Sequence, residues 1–257
     1  MKSKFFPSFF ALPITAGVCG AYLHSHRLAY SFGIVGEGIA TPAGYGFAAI
    51  FAIAFFFALT SAFILRGGVE FKSEKVDSFA SAALSVAAVP MLLYAGVLFF
   101  SLSEKFDLIT LVLGLFSVYA AIAFLVMGKY KLSERDSVSY WVCSAVPVFW
   151  ACFVIIVSFR EKIANPIIYE YVTLIFSYLA ILIFSYANAG CLLGKKRSGT
   201  AVFACFAGLF FIIVELVSPL FLIGEMPVST LYNIRELLPQ LAYLILMPPV
   251  MIKIIKK

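Results

Sequence analysis

The chain has 257 residues, 63% of them hydrophobic and only 12% charged, with a formal net charge of +6. A soluble domain is roughly 45–50% apolar and about 25% charged, so this excess excludes an ordinary soluble fold and points to the bilayer as solvent. The basic charge lies in short segments between apolar runs, which argues against nucleic-acid binding and for contact with anionic lipid.

A hydrocarbon core about 30 Å thick needs about 20 apolar residues in a helix. Eight segments qualify, at 5–22, 44–65, 78–101, 107–128, 137–159, 166–190, 199–223 and 236–254. The expected fold is all-α, a polytopic integral membrane bundle forming one transmembrane domain over 1–257. Only short polar connections separate the spans.

The first span follows a basic MKSK and ends in small residues, like a signal peptide. Val18 before Cys19 is unlike a lipoprotein cleavage site. A retained first helix is expected, and cleavage would leave seven spans.

Between the first two spans lies AYLHSHRLAYSFGIVGEGIATPA, from Ala21 to Ala43. It reads as a long outer loop carrying His24, His26, Arg27 and Glu37, with TPAG as a turn. His24, His26 and Glu37 are the residue types of a three-ligand metal site. In a helix, however, the two histidines would point about 200° apart. No metal is assigned.

The third span carries Ser78, Ser81 and Ser85 at helical spacing, and Pro90. The fifth carries Pro147. Between the fifth and sixth spans, FREKIANPIIYEY offers Asn165 as an N-cap and Pro166 as the first helical residue. Arg160, Glu161 and Lys162 read as the wet end of a helix, and Tyr171 as part of an interfacial aromatic belt. Glu170 heads a polar stripe down the sixth span, through Thr173 and Ser177 to Ser185 and Asn188. Such a stripe lines a pathway or serves as a packing face.

Glu215 stands out in the seventh span. A carboxylate near the middle of a bilayer costs on the order of 3 kcal/mol on insertion scales, so it should face the bundle and find a partner. Pro219, four residues on, has no N–H to give the carbonyl of residue 215. A broken helix beside a carboxyl is a common way to line a cavity.

Fourteen of the 19 Lys and Arg residues fall on the side that holds both termini. The positive-inside rule therefore makes the N- and C-termini cytoplasmic. The five cysteines lie in or beside apolar runs and form no CxxC pair. They read as small buried hydrophobes. There is no phosphate loop, no HExxH helix and no GxSxG elbow. No catalytic residue or cofactor is assigned.

The segments RLAYSF…GEGIATPAG, VPVFW…FREKIANPIIYEY and YANAGCLLGKKRSGTAVF together resemble a family of uncharacterised multi-pass membrane proteins of clostridial-type anaerobic bacteria. The likeness runs along nearly the whole chain. It implies a bacterial cytoplasmic membrane protein, and no activity or site residue comes with it. The chain departs from the pattern around Glu215.

Three functions are in view. The first is non-enzymatic binding or transport of a small molecule or lipid, anchored by Glu215 and Glu170 with Ser177 and Asn188. The second is a structural or regulatory role through membrane protein partners. The third is an intramembrane enzyme with His24, His26 and Glu37 near its mouth.

Overall fold

A computed structural model describes residues 6–65, 78–129, 138–162, 171–192, 198–225 and 233–255. They form eight α-helices: α1 (Phe6–Ser31), α2 (Glu37–Leu65), α3 (Ser78–Glu104), α4 (Leu108–Lys129), α5 (Val138–Lys162), α6 (Val172–Leu192), α7 (Ser198–Val217) and α8 (Ile234–Ile255). A 3-10 segment, Ser218–Leu222, continues α7. Six of the described helices are long and apolar enough to cross a membrane, namely α2 to α7, the last including its 3-10 segment. The chain is thus a helical, multi-spanning membrane protein.

Successive helices alternate in direction. The end at which α1, α3, α5 and α7 finish is here called the upper end. Helix α7 touches α1, α2, α6 and α8, while α8 packs against α3, α6 and α7. Helix α8 is not among the six apolar spans. It carries Arg235, Glu236, Gln240 and three internal prolines, yet Leu238, Ala242, Tyr243, Met247 and Met251 are buried. Enclosed by other helices, it meets protein rather than lipid and needs less apolar surface.

The bundle is held by close fit, because lipid tails solvate apolar side chains as well as a core does. On α1, Gly17 and Gly20 form a notch for α7. A Cβ at Gly17 would stand 2.9 Å from the Cβ of Ile213, and one at Gly20 would stand 3.2 Å from the Phe210 ring. Ser81 on α3 donates to the carbonyl of Gly128 on α4, so that serine packs two helices together. At the centre, Trp150 stacks on Tyr243 with ring centroids 5.9 Å apart. Tyr94 and Tyr178 meet it edge-on. Its indole N–H donates to Ser117 Oγ at 2.9 Å, and Ser117 passes a bond of 2.7 Å to the Leu113 carbonyl.

Two expectations need correction. The outer loop from Ala21 to Ala43 does not exist as such. Helix α1 runs on to Ser31 and α2 starts at Glu37, leaving 32–36 as the turn. The reason is local: AYLHSHRLAYS contains neither Gly nor Pro, so nothing stops the helix. The break falls at Gly33, whose φ of 74° is the left-handed conformation glycine adopts readily. The TPAG turn is likewise helical, with Pro42 inside α2. Tyr171 is buried rather than part of an exposed belt. Asn165, Pro166 and Glu170 lie outside the described residues.

Helix α7 does break where Pro219 demands it. The α-helix ends at Val217, and the 3-10 segment has its proline in the first positions. Ser218 Oγ donates to the Val214 carbonyl at 2.6 Å, supplying a partner where the ladder changes type. The four described cysteines, Cys19, Cys143, Cys152 and Cys205, are free thiols. Only Cys205 is buried; Cys19 and Cys152 are exposed on helices whose outer faces suit lipid.

Candidate functional site

Three helices bring their polar residues together at the upper part of the bundle. Thr173, near the start of α6, donates from its hydroxyl to Glu215 Oε1 on α7. The same hydroxyl lies 3.4 Å from Nε2 of His24 on α1. His24 is only 2% exposed, and its Nδ1 has no hydrogen-bond partner. Its ring lies against Phe47 of α2, with centroids 5.5 Å apart. Helix periodicity explains the meeting. His24 continues the Gly17–Gly20–Ala21 face that fits α7, and Glu215 stands on the side of α7 that fits α6 and α1.

Arg27, one turn beyond His24, is half-buried and lies over Gly44 of α2. Its positive charge stands close enough to act on His24. The group thus contains a carboxylate, a hydroxyl, an imidazole and a guanidinium nearby. Such a set can hold a ligand's polar atoms or exchange a proton. It can equally fasten three helices.

The α6 stripe continues below it. Ser177, fully buried, donates to the Leu174 carbonyl at 2.7 Å and accepts from Gln240 Nε2 of α8 at 3.4 Å. Gln240 is 1% exposed and its Oε1 lacks a partner. Lower still, Ser185 Oγ and Tyr243 Oη of α8 are 3.1 Å apart. Thr173, Ser177 and Ser185 therefore each reach a neighbouring helix, and the stripe is a packing face along the described part of α6. Asn188 lies further down and is half-buried.

His26 and Glu37 do not join the group. His26 points away from His24 and packs edge-on to Tyr22, with centroids 4.9 Å apart. Glu37 is exposed at the first position of α2. His24, His26 and Glu37, the residue types of a three-ligand site, are not brought together, and among the described residues no three His, Cys, Asp or Glu side chains are placed to hold a metal ion. Two helical positions two residues apart cannot face one centre, which is the reason.

A cleft of about 570 Å³ also opens at the upper end, between α3, α4, α5 and the start of α8. Glu215 does not line it; Arg160, Glu161 and Arg235 do. By sequence alone Arg160 and Glu161 read as a plain helix end. The missed signal was charge on both α5 and α8 at the same membrane level.

The chain matches no family model, no curated protein and no solved structure. What stands on geometry alone is a polytopic helical membrane protein with a polar tie across α1, α6 and α7.

Proposed function

We propose that this membrane protein binds or carries a small molecule or lipid without catalysis, with Glu215 as a polar anchor. One observation carries the reading. The Glu215 carboxylate is coupled through Thr173 to a buried histidine that keeps an unpartnered ring nitrogen. Buried polar atoms are nearly always satisfied, so the orphan Nδ1 of His24 marks a place for another partner. Glu170, Ser177 and Asn188 belong to this proposal as further polar positions on the same helix region.

Under the same proposal the protein lies in a bacterial cytoplasmic membrane as one domain with eight spans and cytoplasmic termini. The charge bias of its basic residues supports that orientation. The fit of α7 into the α1 notch supports a retained first helix. Membership of the clostridial family it resembles belongs to the same reading.

A structural reading has its own support, because every described hydroxyl of the α6 stripe above Asn188 reaches another helix or its own backbone. In that case Glu215 only fastens the bundle.

Mass spectrometry of molecules copurifying with the protein from native membrane separates the two. Binding predicts a species retained by wild type and lost from Glu215→Gln while the variant stays folded. Equal retention in both would clear Glu215 of a binding role and leave the structural reading.

A further inference from the structure

The cleft at the upper end is a separate feature, and its chemistry names a ligand. It is lined by the last turn of α3, the α3–α4 turn, the end of α5 and the start of α8. Its volume of about 570 Å³ falls within the ~300–1,000 Å³ of small-molecule sites. Lys105, Arg160 and Arg235 supply three cationic groups to its wall, and Glu104, Asp107 and Glu161 three carboxylates.

These charges are not equally available. Asp107 caps α4: its Oδ2 accepts from the Thr110 backbone N–H at 3.1 Å and the Thr110 hydroxyl at 2.8 Å. Those bonds hold its carboxyl below the usual range, with the Thr110 hydroxyl the larger cause. Asp107 is therefore committed to the helix start. Lys105, Arg160 and Arg235 form no salt bridge among the described residues. Two guanidiniums from different helices suit a phosphate, whose oxygens accept forked N–H pairs. Glu104, exposed at the end of α3, suits an ammonium group.

The rim indicates whether the ligand is free or anchored. Phe106 lines the cleft and is 72% exposed. Phe100 and Leu108 nearby on α3 and α4 are 71% and 63% exposed. A charged hollow bordered by bare apolar side chains, at the end of membrane-spanning helices, has the two-part character of a lipid. The headgroup would meet the charges and the acyl chains the apolar rim.

We propose that this cleft holds the zwitterionic headgroup of a membrane lipid, one that carries a phosphate and a primary ammonium. Arg160 and Arg235 take the phosphate, and Glu104 takes the ammonium. This goes beyond the Glu215 reading and does not rest on it.

The test uses the full chain, delipidated and reconstituted with equal amounts of phosphatidylethanolamine and phosphatidylglycerol, with retained lipid counted by native mass spectrometry. Wild type is expected to retain the ethanolamine lipid at least tenfold over the glycerol lipid. Arg160→Gln/Arg235→Gln should lose at least tenfold of that retention, and Glu104→Gln should lose the preference between headgroups. Equal retention of both lipids by wild type, or unchanged retention by the double variant, overturns the proposal. Free phosphoethanolamine gives an arm that needs no variant. It should displace the lipid from wild type, but only at concentrations at least a hundredfold higher than the lipid itself requires. No displacement overturns the headgroup assignment, and displacement at equal concentration overturns the lipid assignment. Arg160→Gln/Arg235→Gln should still retain any species that copurifies through Glu215, so the two sites fail separately.

Discussion

The upper end of the bundle contains two polar groups of opposite character. Around Glu215 the side chains are turned inward and answer one another: a threonine donates to the carboxylate and stands against a buried histidine. In the cleft, the cations of Arg160, Arg235 and Lys105 face an open hollow. The first group is costly to leave unpaired, because His24 and Thr173 are buried. The second is cheap to maintain, because exposed charge stays solvated. A closed cluster thus influences stability first and binding second, and an open one does the reverse.

Substitutions can break that contrast. The largest stability loss should come from neither cluster. Trp150→Ala would empty the centre of the bundle and strip Ser117 of its donor, and aromatic truncations of this kind cost about 3–5 kcal/mol. Urea or thermal unfolding in detergent would read it, and it sets the scale for the others. Gly17→Ala should follow, at about 1–3 kcal/mol, since the new methyl meets the β-branched Ile213 with little room to yield. Thr173→Val comes next. It removes the donor to Glu215 at nearly constant volume, and interhelical hydrogen bonds in membranes are worth about 0.6 to 1.7 kcal/mol. If Thr173→Val left the melting curve unchanged, the cluster would not be the closed tie described here.

The cleft double variant should change stability least, within about 0.5 kcal/mol, while losing lipid. A stability loss larger than that of Thr173→Val would reverse the comparison. Asp107 adds a pH test at the same place. Its carboxyl is held low in the folded chain, so the stability it gives is present above its unfolded pKa. That stability is lost as pH falls through the lower folded value. Asp107→Asn should flatten that acid-side slope by lowering the neutral-pH stability toward its acid value.

The contrast also separates what could be read from residues alone. The spans were legible because bilayer thickness dictates apolar length. Six of eight predicted spans lie within a few residues of the observed helices, counting the 3-10 segment with α7 and setting aside the start of α6, which falls outside the described residues; α1 ends nine residues later and α2 starts seven residues earlier than expected. Helix α1 shows the limit of that logic. The apolar run stops near Tyr22, but the helix goes on through His24 and Arg27, because thickness limits the greasy stretch and not the helix. His24 was noticed and misplaced: as a loop residue it suggested metal, while as a helix residue it meets Thr173. Glu215 was legible because a carboxylate in an apolar run needs a reason. The cleft was not. Its wall comes from residues 101–110, from 157–161 and from Arg235, and each of these stretches alone resembles an ordinary helix end. Helix α8 was the least regular span by pattern, and the enclosure by α3, α6 and α7 explains why it could be.

The glycine notch on α1 has a consequence for biosynthesis. The helix that fills it, α7, begins at Ser198, whereas α1 ends at Ser31. At about 5–20 residues per second, α1 leaves the ribosome on the order of 10–30 s before its partner. During that interval the face bearing Gly17, Gly20 and His24 has no α7 to close it. Newly made α1 must therefore be held at the insertion machinery, or wait loosely in lipid beside α2, until the seventh helix arrives. A chain stopped before α7 should be cleared quickly by membrane proteases, and one stopped just after it should persist.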